Sequence, residues 1–206
     1  MNDPMRKPAP MEHPTLDLIR ERWSPWAFAD TPVPIALLAS LLEAARWAPS
    51  SMNEQPWRFV IGDKERSPDV HSVLAEAMAP GNRKWAPSAP LLVLVCADTV
   101  FRASGATNRF ALHDAGQATA FLQLQAVAMG LRVHPMGGYD AAKVRSGIGI
   151  PDDHEPCALL AIGFPGHPGQ LDDETVRAKE INPSRARKSL RDTVFGFWGV
   201  PAPLDP

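Results

Sequence analysis

Between Ile35 and Pro49 the apolar residues Ile35, Leu38, Leu41, Leu42 and Ala45 recur at three- and four-residue spacings, which predicts a helix that stops before the proline. A longer register runs from Asn108 to Met129 through Ala111, Ala115, Ala118, Phe121, Leu122, Gln125 and Ala128, with Gly130 placed for a left-handed stop. Its small residues Ala115, Gly116, Ala118 and Ala120 would let another helix come close. Val70, Val73, Leu74 and Ala77 predict a shorter helix over 69–78, and another is expected over 141–147. Apolar, β-branched runs at 58–61 and 91–97 read as buried strands, joined by short strands near 131–134 and 158–164. Thr15 stands as an N-cap ahead of Leu16, Leu18 and Ile19. About four strands interleaved with helices predict an α+β fold, a small sheet covered by helices.

The two ends depart from this pattern. Residues 1–13 are proline-rich, polar and aperiodic, and read as a flexible tail ahead of a single domain over 14–206. From 165 to 190 the chain turns polar and loop-like. Beyond it Phe195, Phe197, Trp198 and Val200 alternate with glycine and proline, too broken for a core element. An apolar arm of that kind needs a surface to lie on, and a partner subunit is one candidate.

Composition narrows the class. With 206 residues, 45% hydrophobic and 21% charged, the chain can bury a full core. The 21 Lys and Arg against 23 Asp and Glu leave no bulk field for nucleic acid or an anionic membrane. The run Leu91–Ala97 is far too short to span a bilayer, and Met1–Pro14 lacks the apolar segment of a secretory signal. Cys96 and Cys157 lie in apolar runs without metal-ligand spacing and read as buried thiols of a reducing, cytoplasmic compartment.

Familiar chemical signatures are missing. Gly147-Ile148-Gly149 runs into Pro151 rather than opening a helix, so it is no dinucleotide loop, and no Walker or GxSxG pattern occurs. The six histidines show no zinc spacing, so no metal is expected. His113 and Asp114 are helix neighbours, which do not normally face each other. What stands out is three polar groups: Arg20, Arg22 and Ser24; Ser50, Ser51, Asn53 and Gln55; Arg185, Arg187 and Lys188. Together they suit a phosphorylated, ring-bearing ligand, since guanidiniums bind phosphate and short hydroxyl or amide groups bond to a polyol or ring edge. Separately they read equally as helix caps and solvated charges.

In order along the chain, Arg22-Trp23-Ser24-Pro25-Trp26-Ala27-Phe28, the segment Ala48 to Trp57 with Arg58-Phe59, Met136-Gly137-Gly138-Tyr139-Asp140 and Arg185-Ala186-Arg187 resemble the FMN-dependent nitroreductase family. The resemblance extends from about Ile19 to Arg191. It implies an α+β sandwich with a small, mainly antiparallel sheet, an intertwined homodimer, and two FMN sites each built from both chains. Arg22 and Ser24, with Trp23 and Trp26 in the same segment, would meet the FMN phosphate and ribityl chain, and Arg185 and Arg187 would clamp the phosphate. Pro49, Ser50, Ser51 and Asn53 of the other subunit would line the flavin. The turn Pro135, Met136, Gly137, Gly138 would set the glycine backbone against flavin N5, with no acid or base side chain required. Lys84 lies where relatives place a flavin-facing cation, and Trp26 stands where the family often has Arg or Lys. Trp85, or the lid-like stretch from Met78 to Pro90, would shape the acceptor pocket, and residues 190–206 would embrace the partner.

The activity implied is oxidation of NADH or NADPH with ping-pong hydride transfer to a nitroaromatic, quinone or related small-molecule acceptor. A same-fold reductive dehalogenase, an oxygen-using flavin enzyme and a flavin-sequestering protein without turnover are the alternatives.

Overall fold

A computed structural model describes residues 6–204. Residues 1–5 of the expected tail and 205–206 of the expected arm lie outside the described residues. Helices α1 (Asp17–Glu21) and α2 (Ile35–Arg46) come first, followed by strand β1 (Trp57–Asp63), helices α3 (Pro68–Ala77) and α4 (Pro80–Arg83), and strand β2 (Leu91–Asp98). The long helix α5 (Ala111–Ala128), strand β3 (Arg132–Met136), helix α6 (Ala141–Ile148), strand β4 (His154–Gly163) and helix α7 (Glu174–Ile181) complete the order. The strands form one sheet, β1-β2-β4-β3, in which every neighbouring pair is antiparallel.

Strand β2 accounts for the layering. Leu91, Val93, Val95 and Ala97 face a core shared with Leu38 and Leu41 of α2 and Ala115, Ala118 and Leu122 of α5. The alternate residues Leu92, Leu94 and Cys96 face a second core with Leu74 of α3, Val144 of α6 and Trp85. An unbroken apolar run therefore marks a strand covered on both faces, and each fully buried leucine stabilises the fold by about 1.5–3 kcal/mol relative to exposure. Helix α3 sits so close to β1 that a Cβ on Gly62 would lie 2.7 Å from the His71 Cα. Gly130 ends α5 with φ +76°, the left-handed stop expected of it.

Helix α5 is apolar on two sides. Its inner face packs on the sheet and α2, whereas Leu112 and Phe121 on the outer side are 54% and 40% exposed. The small residues Gly116 and Ala120 lie on this open side, and a Cβ on Gly116 would meet nothing within 4 Å.

Several sequence expectations need correction. The polar stretch 165–190 contains α7, whose N-cap Asp173 accepts a bond from the Val176 N–H and which buries Val176 and Glu180. With a charged residue in its buried stripe, the helix has no recognisable apolar period. The N-cap of α1 is Leu16, not Thr15, without a side-chain cap bond. Strand β4 begins at His154, four residues before the expected start. The proline-rich beginning has no helix or strand between residues 6 and 16, yet it is fastened: Ala9 donates its N–H to the Arg20 carbonyl at 2.8 Å and Lys7 is 6% exposed.

Two imidazoles tie the fold to pH. His71 bonds to the Ala89 carbonyl and His134 to that of Pro25, and burial lowers the pKa of both below the ordinary 6.5. The unfolded chain thus binds protons that the folded chain resists. Their contribution is complete above about pH 6.5 and is lost as the pH falls through the depressed folded values. The midpoint of thermal unfolding should fall between about pH 6.5 and 5, with a shallower slope in His71→Gln/His134→Gln; equal slopes would acquit both imidazoles.

Candidate functional site

A cavity of about 280 Å³ opens where the chain leaving α1 meets the end of α7 and the segment beyond it. Arg22, Ser24 and Trp26 line it from the first side, and Arg185 and Arg187 from the second. Arg22 is the C-cap of α1, where the backbone turns extended. Arg185 is locked by backbone carbonyls: its Nη1 donates to Lys7 at 2.7 Å and Arg20 at 3.1 Å, its Nη2 to Arg22 at 2.7 Å. Arg22 Nη1 approaches Ser24 Oγ at 3.4 Å. Among the described residues, no carboxylate forms an ion pair with Arg22, Arg185 or Arg187. Burial lowers the pKa of Arg22, and the charges of Arg185 and Arg187 lower it further. Three cations that repel one another across a cavity are a donor set that could hold a multiply charged anion.

Six residues singled out in the sequence, Arg22, Trp23, Ser24, Trp26, Arg185 and Arg187, therefore come together. Trp23 is buried and its indole N–H has no partner. Trp26 meets His134 edge-on, with ring centroids 5.3 Å apart. Sequence reading missed Lys7, Lys179, Asn182 and Ser184 on the same walls. Asp173 ahead of Glu174 is the capping signal from which α7, and with it Lys179, was recoverable. Nothing in the composition of residues 1–13 marked Lys7.

The remaining candidates lie off this cavity. Pro49, Ser50, Ser51 and Asn53 precede β1 in a tight loop where Met52, Asn53 and Gln55 all have positive φ, at 56°, 55° and 53°. Left-handed backbone at three non-glycine residues within four positions costs of order 1–3 kcal/mol each, strain that functional loops tolerate when their surroundings hold them. Here Asp114 of α5, buried, accepts the Ser51 N–H at 2.9 Å, and Ser50 Oγ accepts the Gln55 N–H at 3.0 Å. Asp114→Ala should therefore cost about 1–3 kcal/mol in urea unfolding, with Asp114→Asn losing less because its amide oxygen still accepts. An Ala variant as stable as the parent would remove Asp114 as the anchor.

Pro135 and Met136 end β3, and Gly137 and Gly138 form the following turn, tied to α4 by bonds from Ala79 N–H at 2.9 Å and Asn82 Nδ2 at 3.0 Å to the Gly138 carbonyl. A Cβ on Gly137 would meet nothing within 4 Å, so open space adjoins it. Lys84 pairs instead with Asp173 at 2.7 Å. Trp85 is 3% exposed and packs against His134 and Phe28, so it belongs to the core rather than to a lid.

His113 Nδ1 does reach Asp114 Oδ1, at 3.0 Å, despite their adjacent helical positions, but the imidazole is exposed. Cys96 is buried and Cys157 half-buried, and burial raises their pKa to about 11 and about 12, which leaves both as unreactive thiols. Asp98, Asp153 and His154 bring ligand-type atoms within 4.8 Å of one another, a grouping that histidine spacing alone did not reveal. Its carboxylates are already engaged, with Arg102 Nη1 3.1 Å from Asp153 and Arg58 3.5 Å from Asp98. Among the described residues no helix is long and apolar enough to cross a membrane.

The sequence profile described as Nitroreductase family matches residues 19–164. The chain belongs to the nitroreductase family. It is 34% identical over 151 residues to an uncharacterized 15.4 kDa protein of Mycolicibacterium smegmatis, spanning 70% of this chain and 99% of that one. It is 30% identical over 169 residues to a Streptomyces griseus protein provisionally named NADH dehydrogenase/NAD(P)H nitroreductase, spanning 72% and 84%. Among solved structures, an oxidoreductase containing FMN superposes with a TM-score of 0.84 at 34% identity over 96% of this chain and 97% of that one. The nitroreductase profile covers Arg22, Ser24, the Pro49–Asn53 loop and the glycine turn, while Lys7 and the cavity wall from Lys179 to Arg187 lie outside it.

Proposed function

We propose that this nitroreductase-family protein binds FMN, takes electrons from NADH or NADPH and delivers them to a small-molecule acceptor of the nitroaromatic or quinone class. The observation that carries the reading is the triad Arg22, Arg185 and Arg187, which faces one cavity without a carboxylate partner among the described residues. That donor set, with the Ser24 hydroxyl beside it, fits a phosphate monoester.

When bound, FMN supplies the hydride chemistry, so the chain itself needs no nucleophile or general base. Its residues have binding and orienting tasks. The three arginines hold the phosphate, Ser24 donates to the polyol, and the open space beside Gly137 leaves room for a ring against the backbone. At about 280 Å³ the cavity falls short of the roughly 300–1,000 Å³ of complete small-molecule sites, so it accommodates part of such a ligand. We assign the missing wall to a second copy of the chain, contributing Pro49, Ser50, Ser51 and Asn53. The outer apolar side of α5 and the exposed aromatic arm support a homodimer. Lys84, paired with Asp173, reaches the flavin only if that ion pair opens.

The test is the visible absorption spectrum of the purified protein, before and after FMN addition, followed by NADH and NADPH oxidation with a panel of acceptors. One FMN per chain and acceptor-dependent oxidation are expected. A protein that stays colourless with excess FMN would refute the assignment.

A further inference from the structure

We propose that Lys7 is an additional phosphate-binding residue, and that the segment carrying it is a strap fastened across the anion cavity. The inference rests on the FMN reading, which assigns the phosphate to that cavity. The strap is tied down at several points. Arg6 forms two bonds to the Glu21 carboxylate, at 3.0 and 2.7 Å, and Ala9 donates to the Arg20 carbonyl at 2.8 Å. The Lys7 carbonyl accepts from Arg185 at 2.7 Å, so the strap also holds one of the cavity's own arginines in place.

Lys7 is among the residues that line the cavity, and it is buried. It donates to the Glu180 carbonyl and lies over the Trp23 ring, 4.5 Å from its centroid. The Glu180 carboxylate is 3.9 Å away, beyond hydrogen-bond reach, and directs its Oε2 to the Trp26 N–H at 2.6 Å. A buried ammonium carries three donors, and here one carbonyl, the Glu180 carboxylate and the Trp23 ring are its neighbours, so a phosphate oxygen in the cavity would add a further acceptor. Residue 7 lies outside the family match at 19–164.

A purely structural role, in which Lys7 only neutralises Glu180, makes a different prediction, and a pair of variants separates the two. Dissociation constants of FMN and of riboflavin, which lacks the phosphate, are measured by flavin fluorescence on full-length apoprotein. Parent, Lys7→Met, Lys7→Met/Glu180→Gln and Arg187→Ala are compared. The double variant removes the stranded carboxylate charge and so guards against misfolding of the single one. We expect FMN binding to weaken about tenfold in both Lys7 variants while riboflavin binding holds, the loss of one charge-assisted contact. Parental FMN affinity in the double variant, with Arg187→Ala weakened, would overturn the role of Lys7 alone. A parent that binds FMN and riboflavin equally would overturn the phosphate cavity and the strap together.

Discussion

Arg187→Ala is expected to weaken FMN binding by about 1.5–3 kcal/mol, roughly ten- to a hundredfold, while shifting apoprotein stability by less than about 0.5 kcal/mol. The two effects separate because of what Arg187 does in the structure. Its side chain donates to the carbonyl of its own neighbour Ala186, at 2.8 Å, and it is exposed. The guanidinium therefore holds little of the fold and remains available to a ligand. Arg185 is the contrast, because it clasps the carbonyls of Lys7, Arg20 and Arg22. Arg185→Ala should weaken FMN by a similar factor and also lower the unfolding midpoint, since the carbonyls of buried Lys7 and half-buried Arg22 lose this donor. Retention of FMN through dialysis, followed by isothermal titration and urea melts, reads both. Full FMN retention by Arg187→Ala and Arg185→Ala alike would place the phosphate elsewhere.

The same residues explain how far the sequence could be read. Helices α2, α3 and α5 were legible because each buries an apolar set at helical spacing, and β2 because its unbroken apolar run is buried on both faces. Helix α7 was not, because its buried stripe consists of Val176 and Glu180, and a buried carboxylate is invisible to an apolar pattern. Glu180 is tolerable there because the Trp26 N–H and the nearby Lys7 compensate it, and neither relation is local in sequence. The cationic half of the site was legible as two arginine clusters, but their convergence with Lys7 depends on bonds spanning more than 160 residues, such as Arg185 to Arg22. The Ser50–Asn53 loop and the glycine turn were found through their motifs. Their chemistry has no counterpart within one chain, since neither lines the cavity that gathers the arginines. The site thus divides into a cationic half that lines the cavity and a loop-and-turn half that does not line it, which the proposed pairing of two copies would bring together.

That division makes the C-terminal arm decisive, and deleting residues 195–206 should shift the protein from dimer to monomer and strip it of FMN. Phe197 and Trp198 are 84% and 94% exposed. They stay in water although Phe195 and Trp198 pack against each other, with centroids 5.7 Å apart. Burying each on a partner would contribute about 1.5–3 kcal/mol, and two-fold symmetry doubles the gain. Leu112 and Phe121, exposed at opposite edges of the outer side of α5, offer further apolar contacts to a partner. Phe197→Ser/Trp198→Ser, which keeps the chain length, should raise the dimer dissociation constant by several orders of magnitude and weaken FMN in proportion, because each cavity would lose the loop supplied across the interface. Neither variant touches Arg22, Arg185 or Arg187, so a monomer that kept full FMN affinity would show the cationic half to be sufficient and the shared site to be wrong. Sedimentation velocity at several protein concentrations, read at 280 nm and in the flavin band, follows assembly and cofactor together. An undisturbed, FMN-loaded dimer in the arm variants would shift the interface to α5 alone, where Phe121→Glu then becomes the disrupting change.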